Sequence, residues 1–157
     1  MSVEFINETD AEVNVTAVLA CARFVLERMH LHPETDVAIT LISPEEMERL
    51  HLDWMDLEGP TDVMSFPMDE LRPGSPGSVT GVGVLGDVAI CPAVAAEQAA
   101  AQGHSLDDEV LLLLTHSLLH LMGFDHDDDA ARARMFALQD ELLTSFLGRP
   151  APKATTA

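Results

Sequence analysis

The stretch that constrains this chain most is Leu111-Leu112-Leu113-Leu114-Thr115-His116-Ser117-Leu118-Leu119-His120-Leu121-Met122-Gly123-Phe124-Asp125-His126. An apolar run of this kind predicts a buried helix. His116 and His120 are four positions apart, so a helix sets them on one face with Cβ atoms roughly 5–6 Å apart. Gly123 ends the helix, since glycine enters a left-handed turn at little steric cost. The chain then turns and can bring His126 back beside the other two. Three neutral imidazoles suit zinc and leave its fourth position open, the mark of a catalytic rather than a structural site. Three unpartnered imidazoles among so many leucines would be costly to bury. One Zn²⁺ per chain at His116, His120 and His126 is the expectation.

The spacing H-x-x-x-H-x-x-G-x-x-H is also that of the metzincin metalloproteases, which carry a glutamate base after the first histidine. Here that position is Ser117, whose hydroxyl is no base near neutral pH. The protease reading is therefore the weakest. The stretch more closely resembles the YbeY family of bacterial metal-dependent endoribonucleases, with signature H-G-x-L-H-L-x-G-[YF]-D-H. The match falls at His116, Leu119, His120, Leu121, Gly123, Phe124, Asp125 and His126, with Ser117 in place of the usual glycine. Two further motifs agree in order and spacing: Pro60-Thr61-Asp62-Val63-Met64-Ser65-Phe66-Pro67 and Leu85-Gly86-Asp87-Val88-Ala89-Ile90.

The resemblance implies an α+β fold: one domain over residues 1–148, a small mixed sheet packed with about five helices, and a zincin-like metal helix. It implies a zinc-dependent, single-strand-specific endoribonuclease acting in ribosomal RNA maturation at the 16S 3′ end and in ribosome quality control. The implied partners are ribosomal RNA, the small ribosomal subunit and the Era GTPase, with no DNA and no membrane. The family usually has an arginine five residues before Pro60, where this chain has Met55. An arginine there would clamp a phosphate. Met55, Ser117 and the chain's acidity motivate an alternative, a non-catalytic zinc-containing ribosome-assembly factor.

That acidity is marked: net charge −19 from 27 Asp and Glu against eight Lys and Arg, of which only Lys153 is lysine. Nucleic-acid binding usually rests on cations that neutralise phosphates. Such a chain meets RNA at a small local patch or through a basic partner. The length suits one core. No apolar stretch is long enough to span a membrane. The start, Met1-Ser2-Val3-Glu4-Phe5, has no signal-peptide pattern, so a cytoplasmic location is expected. Cys21 and Cys91 read as buried thiols.

Along the chain, Val3 to Ile6 and Val37 to Ile42 read as strands, with an amphipathic helix between them. Ser43-Pro44-Glu45-Glu46 starts a second helix whose buried stripe is Met47, Leu50 and Trp54. Thr61 to Met68, between Pro60 and Pro67, suits an edge strand. Val79 to Cys91 reads as one or two strands bent at Gly86. Thr61, Ser65 and Asp87 are candidates to line a substrate cleft, and Asp62 accompanies them. Asp125 is a candidate to orient a ligand histidine through its second ring nitrogen. Glu109, seven residues before His116, lies on the same helix face about 10 Å away. No residue is singled out as the catalytic base. Residues 149–157, rich in Pro and Ala, are expected to be disordered.

Overall fold

The leucine run is buried in the computed structural model, which describes residues 2–125 and 127–155. It forms helix α4 (Leu106–Leu121), in which Val110 to Leu114, Leu118, Leu119 and Leu121 are all buried. Ser105 caps its start by accepting from Asp108 N, and Asp107, Asp108 and Glu109 sit in the first turn, where the helix dipole favours acids. Full burial of each leucine contributes roughly 1.5–3 kcal/mol. α4 is thus the axis around which the rest packs.

Before it come β1 (Ser2–Asn7), α1 (Val15–Arg28), β2 (Asp36–Leu41), α2 (Pro44–Met55), β3 (Val63–Pro67), β4 (Val84–Ile90) and α3 (Pro92–Gln102); α5 (Asp129–Leu147) follows. The four strands form one mixed sheet in the order β1-β2-β4-β3. β1, β2 and β4 run parallel, and β3 runs antiparallel to β4 at the edge. Prolines confine a strand to such an edge, because they cannot donate to a second neighbour. The glycine bend in β4 is real: Gly86 has φ +147°, and a Cβ there would strike the Phe66 carbonyl across the pair.

The main core lies between one sheet face and helices α1, α4 and α5, and includes Leu26, Ile39, Val88, Leu114, Leu119 and Met135. Cys21 of α1 belongs to it and meets Thr115 Oγ1 of α4 at 3.6 Å; burial pushes its thiol pKa up to about 11. The opposite face is covered only in part by α2, through Met47 on Met64, Ala89 and Cys91. The expected stripe of α2 therefore stops early. Trp54 is 68% exposed, because the last turn of α2 overruns the sheet and the indole meets only the edge of Phe66 at 5.5 Å.

The architecture is α+β, with five helices on a four-stranded mixed sheet. After α5 the chain has no helix or strand up to Thr155. It nonetheless lies on the body: Arg149 donates twice to the Asp108 carboxylate, and Ala151 N donates to Thr144 Oγ1.

Candidate metal centre and cleft

One face of α4 is not covered by hydrophobic neighbours. Glu109, Leu112, Leu113, His116 and His120, spaced by three and four, line a cavity of about 550 Å³. β3 and the turn before it form the opposing wall with Thr61, Asp62, Val63 and Ser65, and α5 contributes Phe136 and Gln139. β3 is the edge strand, so no further strand lies beyond it among the described residues, and the cleft opens between it and α4.

His116 and His120 stand with ring centroids 4.8 Å apart and planes at 82°. His116 Nδ1 lies 2.8 Å from Gln139 Oε1. With that oxygen accepting, Nδ1 carries the proton and Nε2 presents its lone pair, the form in which imidazole binds a metal. His120 is on the last turn of α4, and Gly123 follows with φ +97°. This is the turn the sequence calls for. His126 lies outside the described residues. Among the described residues no group of three His, Cys, Asp or Glu side chains gathers to hold an ion. The donors in view nevertheless fit zinc: two imidazoles on one wall, one already oriented through its far nitrogen.

The expected cleft residues divide. Thr61, Asp62 and Ser65 line it. Ser65 Oγ and Ser117 Oγ lie 2.5 Å apart, tying β3 to α4. Ser117 is buried in that tie, so the position is structural. Asp87 lies elsewhere. It is paired with Phe66 across the β3–β4 ladder, and strand alternation sets it on the face shared with Ala89, opposite to Val88 and Ser65. It is exposed there. Asp125 is exposed too, with its Oδ1 accepting from Asp127 N at 3.4 Å. The histidine-orienting group in view is Gln139, which sequence reasoning passed over. Its signal was a polar residue between Met135 and Leu142 on the buried stripe of α5; it is 3% exposed.

At the other end of the cleft, Glu109 is fully buried and its Oε1 meets His104 Nε2 at 2.5 Å. Its Oε2 has no hydrogen-bond partner among the described residues. Burial, first, raises its pKa above the ordinary 4.5; the His104 contact and charge pull it back, and Asp62 adds a smaller upward push. His51 also lines the cleft, its Nδ1 2.8 Å from the Gly59 carbonyl oxygen.

Residues 4–147 match the family model described as Endoribonuclease YbeY. The chain belongs to the YbeY family. Proteins named Endoribonuclease YbeY from Renibacterium salmoninarum and Micrococcus luteus are 56% and 57% identical to it, over 157 and 155 residues. The alignments cover 100% of both chains in the first case, and 99% of this chain and 98% of the relative in the second. Among solved structures, TM1509 from Thermotoga maritima superposes with a TM-score of 0.60 at 23% identity, over 93% of this chain and 89% of that one. This likeness supports the α+β architecture. YbeY membership makes the chain an endoribonuclease by class, a hydrolase of RNA phosphodiester bonds. Among the described residues, no helix is long and apolar enough to cross a membrane.

Proposed function

We propose that this YbeY-family protein is a zinc-dependent, single-strand-specific endoribonuclease that matures ribosomal RNA, at the 16S 3′ end, and serves ribosome quality control. The observation that carries the reading is the His116–His120 pair on the cleft wall, with Gln139 fixing the tautomer of His116. His126 is the third ligand in this proposal. Zinc held there would supply Lewis acidity, which lets water attack a phosphodiester near neutral pH without a strong side-chain base.

The chain's own residues do the rest. Gln139 holds the His116 ring in one orientation, with Nε2 aimed into the cleft. The Ser65–Ser117 contact fixes the distance between β3 and α4, and so the width of the groove. Thr61, Asp62 and Ser65 offer hydroxyl and carboxylate groups along the wall, suited to the hydroxyls and base edges of a single strand rather than to a duplex. The open side next to edge strand β3 admits a chain threaded along the groove. A ribosomal substrate entails a cytoplasmic site of action, with the small ribosomal subunit and the Era GTPase as partners.

The test uses wild type and His120→Ala, both checked for folding and metal content, on precursor rRNA and on intact ribosomes. Cleavage by wild type alone is expected. A zinc-loaded wild type that leaves both substrates intact would sink the reading in favour of a non-catalytic assembly factor. Equal cleavage by both proteins would detach the activity from the histidines.

A further inference from the structure

A chain with net charge −19 has few cations to spend on RNA, eight in all, and three of them are already engaged. Arg49 pairs with Glu46, and Arg149 is held by both oxygens of Asp108. Arg28 donates to Ser145 and lies over the Phe24 ring. Two arginines are different in position and in company.

Arg72, in the segment after β3, is exposed, and its guanidinium lies over the bare Cα of Gly123; a Cβ there would stand 2.7 Å from Arg72 Cζ. Gly123 is three residues past His120 and three before His126. Arg132, on the first turns of α5, sits 5.7 Å above the Phe136 ring, and that ring is 5.6 Å from His116. Neither guanidinium has a carboxylate within ion-pair distance among the described residues. Met55, which lines the cleft itself, brings no charge.

We propose that Arg72 and Arg132 hold RNA phosphates beside the histidines, and are the local cationic patch through which an acidic protein grips its substrate. The inference rests on the endoribonuclease reading and adds the binding groups to it. A planar guanidinium matches two phosphate oxygens at once, and long-range repulsion elsewhere on the surface leaves this patch as the favoured approach. Gly123 then has a second role besides its turn: it vacates the space in which the Arg72 head group rests.

The test measures cleavage of a labelled single-stranded RNA oligonucleotide over a series of salt concentrations. The proteins are wild type, Arg72→Gln, Arg132→Gln, the double variant, and Arg28→Gln as a control with the same charge change. Arg72→Gln is expected to raise KM roughly tenfold. Arg72→Gln and Arg132→Gln should each flatten the slope of log KM against log salt by about 0.7, and the double by about twice that. Arg72→Lys should recover part of the loss, and metal content and Tm should not move. The proposal is overturned if the Arg72 and Arg132 variants behave like Arg28→Gln, or if only kcat falls while KM and the salt slope stay put. A wild type that neither cleaves nor binds the oligonucleotide overturns this inference and the underlying reading together. Normal cleavage with unmoved variants overturns this inference alone.

Discussion

Helix α4 meets a histidine at each end of its cleft face, and the two ends are built differently. At one end His116 meets Gln139, a neutral acceptor, and the rings of His116 and His120 face the cavity. At the other end His104 meets Glu109, a carboxylate buried to the point that one of its oxygens has no partner among the described residues. A neutral acceptor fixes the tautomer of an imidazole and leaves its lone pair available. A buried carboxylate takes up the ring nitrogen of its imidazole in a direct contact and leaves it in the wall of the fold. In the proposed reading, the side chain behind each ring, not helix spacing, assigns one histidine to the metal and the other to structure.

The hardest blow to this contrast is to the open end. His120→Ala should lose at least about 100-fold in RNA cleavage, the scale on which catalytic groups act. It should also lose bound zinc, by metal analysis, with little loss of Tm. A variant that keeps zinc and activity would remove the open end from the chemistry. Gln139→Ala asks whether the group behind the ring matters: zinc affinity should fall roughly 10–100-fold. Gln139→Glu, which gives the open end a carboxylate, should retain zinc better than the alanine variant. Equal affinities for wild type and Gln139→Ala, read by chelator competition, would make the Gln139 contact incidental.

The buried end is probed by pH. Glu109 has its pKa raised in the fold above the ordinary 4.5, burial first. A raised acid holds its proton more tightly folded than unfolded. Its stabilising contribution is complete below the ordinary carboxylate range and is lost as pH rises through the raised value. Wild type should therefore lose Tm relative to Glu109→Gln as pH climbs upward from about 4.5. Parallel Tm curves for the two proteins would contradict a raised Glu109. The smallest effect belongs to the tie between β3 and α4: Ser65→Ala removes the contact with Ser117 and should cost about 1 kcal/mol, or about 2–4 °C in Tm. A much larger loss would mean that the tie carries the β3 edge rather than merely setting the groove width.

Much of this was legible in the sequence. The leucine run, the Ser105 and Ser43 caps and the glycine after His120 state local preferences that the tertiary structure never opposes, so α4, α2 and the turn come out as read. Two prolines, Pro60 and Pro67, were enough to put β3 at an edge. The failures share a cause: they needed three-dimensional neighbours. Trp54 fits a helical stripe but lies past the rim of the sheet it was to cover. Asp87 sits in a matched motif, yet its face is decided by pairing register with Phe66. Gln139 meets His116 from 23 residues away, and Arg72 lies over Gly123 from 51 residues away. Nothing local marks them, except that a lone amide on an apolar stripe calls for a partner.

Cys21 turns the packing of α4 into a clock. Its thiol is buried against Thr115, one residue before His116, with its pKa pushed up to about 11. An alkylating reagent at neutral pH therefore meets almost no thiolate until α1 lifts away from α4. The rate of labelling at this one sulfur, followed by mass with Cys91 counted separately, times how often the helix that carries the histidines loosens from its neighbour.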